Sequence, residues 1–467
     1  MTPARYFIFL APVLSLCACM PADRPSPASA AVALPTAWRD TSSGNGTVDP
    51  AWWQAFGDPA LTRLIEAALV RNTDVLTATA RVEEVAADIR LARSALLPSL
   101  DAVGAAQRSR SLGTTGTATS TALQPEIQLS WQLDMFGRLS RLTAAARQQY
   151  VASQADRDAV ALSVAAQTAQ AYIGLLALDA QLAVSRETVK SRAEALRLAT
   201  DQAQVGYTSQ FELTQAQSEY EAVSQAIPQF EQAIRAQENA LRLLTGEMPG
   251  PVTRSDGALL AATPPTVPAT LPADLLRRRP DIVSAEAMVA AADASLAARR
   301  AQFLPQVALS ASLGQLFVNG LDYDPVTIWD VGASALAPLF AGGRLRAQVD
   351  AATAQRDQAA FAYRGAALKA FGEVETGLSG VSRFAEQIER LHNRRQILIR
   401  SVAMARDRYR GGYASYLELL DAQRNLYSTE LDAIGVRQDQ LDNIITLYRA
   451  LGGGWSAPSP ATAKAEP

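Results

Sequence analysis

The chain has 467 residues, of which 48% are hydrophobic and 19% are charged, and its formal net charge at pH 7 is −3. A charge this close to zero argues against nucleic acid as a partner, because phosphate binding requires a clustered excess of Lys and Arg. The only histidine is His392, and both cysteines, Cys17 and Cys19, lie near the amino terminus. The body of the chain therefore offers no thiol nucleophile and little material for a zinc site or a Ser–His–Asp triad. We expect no metal, no cofactor and no enzymatic activity.

The amino terminus has the pattern of a secretory signal. A short, positively charged start, Met1–Arg5, precedes a mostly apolar run over Tyr6–Leu16. That run is too short to cross a bilayer as a helix, which takes about 20 residues, but it suits a signal peptide. We therefore predict a signal peptide over residues 1–18 that is absent from the mature protein.

The apolar run ends in a sequence, Leu16–Cys19, that resembles a bacterial lipoprotein box. Cys19 is the better acceptor for lipid, because cleavage before Cys17 would place bulky Leu16 where a small residue is needed. Residues 19–50 are rich in Pro, Ala, Ser, Gly and Thr, which predicts an extended, lipidated tether. The alternative is an ordinary signal sequence with incidental cysteines.

The remainder of the chain contains an internal duplication. The segment Gly206–Gln217 matches Gly412–Gln423 at a separation of 206 positions, with seven of twelve pairs identical. This period is far too long for a solenoid unit and indicates a duplicated domain. We place the first repeat at residues 51–246 and the second at 272–452. A proline-rich linker, 247–271, separates them, and a tail, 453–467, follows.

Each repeat contains a pair of predicted strands after a first helix. The first helices are predicted over 61–96 and 272–303. Apolar and polar residues alternate over 126–134 and 329–335, which is the period of a strand with one apolar and one polar face. Less regular partner strands precede them, with hairpin loops rich in Gly, Ser, Thr or Asn between. These partners and loops are 100–108 with 109–121, and 307–317 with 319–325.

Long helices follow each strand pair. No proline occurs between Pro125 and Pro228, and the composition over 139–205 strongly favours helix. Glycines at 206 and 411–412 are expected to turn the chain, because glycine adopts the positive φ that ends helices. Helices then return over 210–244 and 416–451, and Pro228 is expected to interrupt the first of them.

Four strands cannot close a membrane barrel, since the smallest barrels use about eight. An open sheet with an apolar face would leave unpaired edges in lipid, which is not tolerated. Several copies of the chain are therefore expected to share one barrel, and three copies would supply twelve strands. The long helices would extend from that barrel as a shared tube. The expected class is mainly α with membrane β.

Several motifs give the chain a family resemblance. They are Phe136–Arg138, Phe340–Arg344, the segment Tyr409–Arg424 and the closing Leu451–Trp455. With the lipoprotein box and the doubled element order, the chain resembles the TolC superfamily of outer-membrane factors, and within it the OprM-like (NodT-type) lipoproteins of resistance-nodulation-division (RND) efflux pumps. The resemblance covers residues 52–455.

Membership of that family implies a homotrimer with a twelve-stranded outer-membrane β-barrel, a long periplasmic α-helical barrel and an equatorial collar. It implies a lipid-anchored passive exit duct for small molecules in the outer membrane, extending into the periplasm. Its implied partners are a periplasmic adaptor (membrane fusion protein), an inner-membrane RND transporter and outer-membrane lipid.

The resemblance also assigns roles near the second turn. By motif match, Leu417 corresponds to an apolar constriction, Asp421 to an acidic ring and Arg424 to an arginine that ties a periplasmic gate closed. These three residues share one helix face at i, i+4 and i+7. The equivalent positions of the first repeat are uncharged, namely Phe211, Gln215 and Ser218. The first repeat is therefore expected to lack a charged latch. A merely solvated helix face is the alternative.

The two turns are candidate contacts for the adaptor. Their simpler interpretation is helix termination by glycine, which holds in either case. The candidate residues are Val205, Gly206, Tyr207, Ser209, Tyr409, Gly411, Gly412, Tyr413 and Ser415.

Other functions remain as alternatives. A type I-like protein secretion duct would share the architecture. A coiled-coil stalk would explain the helices but not the four alternating strands. A periplasmic adaptor lipoprotein should carry one helical hairpin together with lipoyl-like and small β-barrel domains. The sequence leaves the cargo open among drugs, metals, solvents and secreted protein.

Overall fold

The computed structural model of the chain describes residues 27–33, 35–40, 48–113, 116–255, 264–268, 272–319 and 325–455. The predicted signal peptide and Cys19 lie outside these residues, as do parts of the predicted tether, linker and tail and most of the 319–325 loop. The chain divides into two compact units. The sheet unit comprises Met1–Ala31, Ala80–Gln154 and Ser284–Gly365, and the helical unit comprises Val32–Thr79, Ala155–Val283 and Ala366–Pro467.

The described residues form nine α-helices and four strands, and the two repeats have the same element order. The first repeat contains α1 (Pro59–Arg71), α2 (Thr73–Ser94), β1 (Ser99–Gly113), β2 (Gly116–Leu133), α3 (Arg138–Gln204), α4 (Gln210–Ser224) and α5 (Ala226–Leu244). The second contains α6 (Pro272–Arg278), α7 (Pro280–Ala301), β3 (Gln306–Val318), β4 (Val326–Leu336), α8 (Arg344–Arg410) and α9 (Tyr416–Ala450).

The four predicted strands are confirmed and form one antiparallel sheet in the order β1-β2-β3-β4. The central pairing joins the two repeats, with Ile127 of β2 opposite Leu313 of β3. Strands β1 and β4 form the two margins of the sheet, and neither pairs with a further strand in the described part of the chain.

One face of this sheet is apolar and exposed. Ile127, Leu313 and Trp329 lie in register across three strands, and each has more than half of its surface open to solvent. The opposite face carries small and polar residues such as Ser310 and Ser312. A soluble sheet buries its apolar face, so an uncovered one is typical of strands that contact lipid.

The expected hairpin loop at 109–121 is wrong, because β1 and β2 continue through most of it. Ser109 pairs with Ser120 and Arg110 pairs with Thr119 in the same antiparallel register. The backbone ladder between the strands does not depend on side-chain polarity, so β1 and β2 continue through a polar stretch where the apolar alternation that marks a strand is missing.

The predicted long helices are confirmed. Helices α3 and α8 each have 67 residues and begin 206 positions apart, at Arg138 and Arg344. Helix α3 alone among the described helices contains an 18-residue window apolar enough to cross a membrane, but 56% of that window is buried within the chain. The apolar residues of α3 therefore pack against protein.

The first helix of each repeat is broken, where a single helix was expected. Asn72 Oδ1 accepts the backbone N–H groups of Asp74 at 2.8 Å and Val75 at 3.3 Å, which caps the start of α2. Helix α7 begins at Pro280, whose nitrogen cannot donate to the preceding turn. The first return helix breaks at Gln225, so that Pro228 lies in the first turn of α5, where its missing N–H is not needed.

The start of the first repeat packs into the helical unit. Trp52 is buried and stacks on Tyr448 of α9, with ring centroids 5.5 Å apart and planes 15° apart. Trp455 Nε1 donates to Asp158 Oδ2 at 2.8 Å, which fixes the end of the second repeat to α3. The described start of the predicted linker also packs, because Arg254 forms salt bridges to Asp179 and Glu238.

Candidate gate and docking surface at the helix turns

Both predicted glycine turns have the same backbone geometry. Gly206 has φ +78° and Gly412 has φ +76°. The N–H of Tyr207 donates to the Gln202 carbonyl at 2.8 Å, and the N–H of Tyr413 donates to the Arg408 carbonyl at 2.8 Å. These bonds satisfy carbonyls that the ends of α3 and α8 would otherwise leave free, so glycine sets both turns.

The candidate docking residues are exposed at these turns, with one exception. Tyr207 and Tyr413 point most of their surface into solvent. Tyr409 is half-buried, since its ring packs on Tyr416 at 5.7 Å and its hydroxyl donates to Gln202 Oε1 at 3.4 Å. Burial raises the pKa of Tyr409. Tyr409 thus links the two turns within the chain, and the other candidates are exposed to solvent.

The three predicted gate residues do not form one contact. Leu417 is 54% exposed. Asp421 is exposed and accepts a hydrogen bond from Asn425 Nδ2 at 3.2 Å. Arg424 donates through Nε to Glu219 Oε1 at 3.0 Å, and its Nη2 contacts the same oxygen.

The sequence analysis did not identify the acid that Arg424 binds, which is Glu219 on α4 of the first repeat. Glu219 is the residue after Ser218, which matches Arg424 in the repeat alignment, and its own match is Asn425. Helices α4 and α9 both start at their turns and run away from them side by side, so positions that are nearly equivalent in the two repeats meet. A search one residue to either side of the matched position would have found it.

A buried polar cluster lies behind the Arg424–Glu219 pair, and the sequence analysis missed it. Arg192 of α3 is 2% exposed, and its Nη1 donates to Gln423 Oε1 of α9. Its Nε has no partner among the described residues, and neither does the buried hydroxyl of Tyr416. Burial lowers the pKa of Arg192, an effect that Glu219 opposes. Burial raises the pKa of Tyr416.

Glu219 is the only acid among these groups and is the more deeply buried partner of its ion pair. Its side chain is 8% exposed, whereas that of Arg424 is 57% exposed. The hydrogen bond to Glu219 is the main reason that the pKa of Arg424 is raised. Removing a partner from a buried charge is strongly destabilising, so Glu219 requires a cationic partner while it is buried as it is here.

The cluster is present once in each chain. At a separation of 206 positions, Arg192 corresponds to Leu398 and Glu219 corresponds to Asn425. The second repeat therefore cannot form the same network, although its backbone turn is alike. Within the described residues, no group of three or more His, Cys, Asp or Glu side chains is placed to hold a metal ion.

Comparison with known proteins identifies the family. The sequence model described as outer membrane efflux protein matches residues 64–247 and 271–453. The chain belongs to the outer membrane efflux protein family. The family resemblance drawn from the sequence motifs is thereby confirmed.

Relatives of this outer membrane efflux protein match over most of their length. The chain is 32% identical to the pyoverdine export outer membrane protein OpmQ of Pseudomonas putida, covering 98% of this chain and 100% of that protein. It is 33% identical to the toluene efflux pump outer membrane protein TtgC of Pseudomonas putida, covering 90% of this chain and 88% of that protein. The solved structure of the outer-membrane channel OprN superposes with a TM-score of 0.84 at 25% identity, covering 93% and 99% of the two chains.

These findings establish the general role of the molecule. It is an outer membrane efflux channel protein, a transport component rather than an enzyme. Its mostly helical architecture with a four-stranded sheet is that of TolC-like outer-membrane channels.

Proposed function

We propose that three copies of this chain form a passive exit duct in the outer membrane, as part of a tripartite efflux pump. The observation that carries this proposal is the sheet, whose margins β1 and β4 are unpaired in the described chain and whose apolar face is uncovered. Unpaired strand edges are too costly in lipid to persist. Pairing β4 of one copy with β1 of the next removes every edge when the ring closes.

Three copies give a closed barrel with a strand number that bacterial outer-membrane barrels have. Each chain contributes four strands, so a trimer has a barrel of twelve, an even number within the range of bacterial outer-membrane barrels. The long helices of three chains form the periplasmic tube below it, and shorter helices such as α1 and α6 contribute to an equatorial collar. A lipid group on Cys19 would fix the mature amino terminus to the membrane.

We assign the gate to the turn end of the helical tube. Three copies of Asp421 would form an acidic ring and three copies of Leu417 an apolar constriction, which together restrict passage by charge and size. Arg424 holds α9 to α4 through Glu219, so this pair favours the closed arrangement. The exposed residues at the two turns, such as Tyr207 and Tyr413, are the contacts for the periplasmic adaptor, and the inner-membrane RND transporter supplies the cargo.

The proposed cargo is small organic molecules. Two relatives are named for pyoverdine export and for toluene efflux, which are both small-molecule transport roles. This favours a pump component over a type I-like protein secretion duct. The four-stranded amphipathic sheet argues against a coiled-coil stalk or an adaptor, because neither class of protein contains strands that contact lipid.

The proposal is tested with protein extracted in detergent. Its mass by light scattering or native mass spectrometry should be that of three chains, and it should conduct ions in planar bilayers. Lipidation is tested in the same preparation, since Cys19→Ser should remove the mass of the acyl groups from the mature chain. A folded monomer whose apolar sheet face is covered by its own residues would overturn the duct.

A further inference from the structure

Glu219 of α4 binds Arg424 of α9, and a second arginine, Arg192 of α3, bonds the residue next to Arg424. Arg424 donates to the Glu219 carboxylate through Nε at 3.0 Å. Arg192 of α3 donates through Nη1 to Gln423, the residue before Arg424 on α9, and Glu219 opposes the lowering of the Arg192 pKa that burial causes. Both arginines thus lie against α9 at one level of the helices, and Glu219 is the acid of this cluster.

Arg192 is poorly satisfied in this arrangement. A guanidinium has five N–H donors, and within the described residues Arg192 uses one nitrogen, Nη1, for a bond to the neutral amide of Gln423. Its Nε is buried without an acceptor. A buried cation with so few hydrogen-bond partners destabilises the folded protein. A carboxylate is the acceptor that best fits a guanidinium, because it can accept two parallel N–H groups.

The structure also leaves space beside Arg192. A cavity of about 410 Å³ lies between α3, α8 and α9, and its lining includes Thr188, Arg192, Arg406 and Gln423. Movement of α9 relative to α3 can therefore be accommodated at this level of the helices. Breaking the Gln423 bond would release Nη1 of Arg192 as a second donor.

We propose that Arg192 is a positioning residue of the gate, which takes Glu219 over from Arg424 when the helices open. The closed state has Glu219 bound to the exposed Arg424, and the open state has it bound to the buried Arg192. The carboxylate stays paired in both states, so opening leaves no uncompensated buried charge. This inference rests on the gate proposed above and adds to it the group that stabilises the open state.

The asymmetry of the repeats supports a dedicated role. Position 398, the repeat match of Arg192, is Leu, which shows that helix packing at this level does not itself require an arginine. Arg192, Glu219 and Arg424 lie where α9 contacts the helices of the first repeat. This contact must loosen if α9 is to move.

The experiment measures open fraction in planar bilayers and uptake of a bulky antibiotic in cells without the pump. Arg424→Gln should raise the open fraction at least tenfold, because it removes the closed-state partner of Glu219. Arg192→Gln introduced into the Arg424→Gln protein should lower the open fraction at least tenfold, because it removes the open-state partner. Arg192→Lys, which keeps the charge, should lower it less.

Two controls separate the switch from a structural role. In a Glu219→Gln background, Arg192→Gln should leave the open fraction unchanged, since no carboxylate remains to be transferred. Arg197 lies on the same helix, and its one ion pair among the described residues is with Asp201 at i+4. Arg197→Gln should therefore have no effect in any background. The mass of each variant confirms the assembly, and Arg192→Lys serves where Arg192→Gln fails to assemble.

The inference is overturned if Arg192→Gln leaves the Arg424→Gln channel as open as before, or if its effect persists without the Glu219 carboxylate. Failure of the proposed function looks different. In that case the wild-type protein and the Arg424→Gln variant both fail to conduct, and Arg192 has nothing to regulate.

Discussion

The hydroxyl of Tyr172 donates a hydrogen bond of 3.0 Å to Asp58 Oδ2. The same oxygen accepts the hydroxyl of Ser255 at 2.6 Å, and Asp58 Oδ1 accepts the backbone N–H of Ala60 at 2.7 Å. One buried carboxylate thus caps α1, anchors the middle of α3 and holds the segment that leaves the first repeat. The contact explains why the described start of the predicted linker is packed rather than free.

We predict that Asp58→Ala destabilises the helical unit by about 2–4 kcal/mol, because it removes a helix cap and leaves buried hydroxyls without an acceptor. The measurement is the midpoint of thermal loss of helical circular dichroism in purified protein. Ser255→Ala removes one bond of the same network and should cost about 1 kcal/mol. Equal midpoints for the two variants would contradict this account of Asp58.

Most of the fold was predictable because its signals are local. Alternating residues around Ile127 and Trp329 marked the strands, and the absence of proline marked α3 and α8. The extra length of β1 and β2 was not predictable, because Ser and Thr pairs such as Ser109 with Ser120 carry no apolar alternation. The break at Asn72 depends on a side-chain cap that a run of good helix formers does not reveal.

The candidate site was predictable only in part, because its key contacts join different helices. Gly206 and Gly412 could be assigned from the motif, since a turn needs glycine locally. The pairing of Arg424 with Glu219 depends on how α4 and α9 pack, which a single sequence does not state. Arg192 gave no signal at all, since an arginine in a long helix normally faces solvent.

The end of the second repeat depends on a glycine, Gly452, that packs closely against the end of α6. A Cβ on Gly452, which has φ +90°, would clash with the backbone carbonyl of Arg278 at the end of α6. Gly412 has φ +76° but open space around it. We predict that Gly452→Ala lowers the midpoint of thermal unfolding far more than Gly412→Ala, which should cost only about 1 kcal/mol of backbone strain. Similar midpoints would mean that the close approach to Arg278 is unimportant.

Asp442 of α9 should make stability depend on pH. Burial raises its pKa to about 7, with Asp439 adding to the effect, and its Oδ1 has no partner among the described residues. The folded protein therefore holds a proton that the unfolded chain releases near pH 4. The contribution of Asp442 to stability is therefore most favourable below that pH and falls as pH rises from about 4 to 7, after which the full penalty of the buried charge remains.

We predict that Asp442→Asn removes this loss and raises the thermal midpoint at pH 8 relative to the wild type, with little change at pH 4. The expected gain at pH 8 is a few kcal/mol, since each pKa unit is about 1.4 kcal/mol. Asp432→Asn, an exposed carboxylate on the same helix, is the control and should leave the pH profile unchanged. A difference between the Asp442→Asn and wild-type midpoints that is the same at pH 4 and pH 8 would contradict the raised pKa of Asp442.

The gate assignment makes a prediction about permeability. Leu417 and Asp421 are exposed in the single chain and are assigned to the constriction of the trimer. Replacing both with Ala removes the apolar obstruction and the acidic ring together, so Leu417→Ala with Asp421→Ala should raise uptake of bulky antibiotics in cells that lack the cognate pump. The measurements are the minimal inhibitory concentration of a large, normally excluded antibiotic and the single-channel open fraction.

The first repeat provides a matched control for that prediction. Phe211 and Gln215 occupy the equivalent positions on α4, with the same helix spacing. If closure depends on the face of α9 that carries Asp421, Phe211→Ala with Gln215→Ala should leave uptake much closer to that of the wild type. Cells with the α9 variant that stay as tight as the wild type would place the constriction elsewhere, whereas equal leakage from both variants would mean that the two repeats share it.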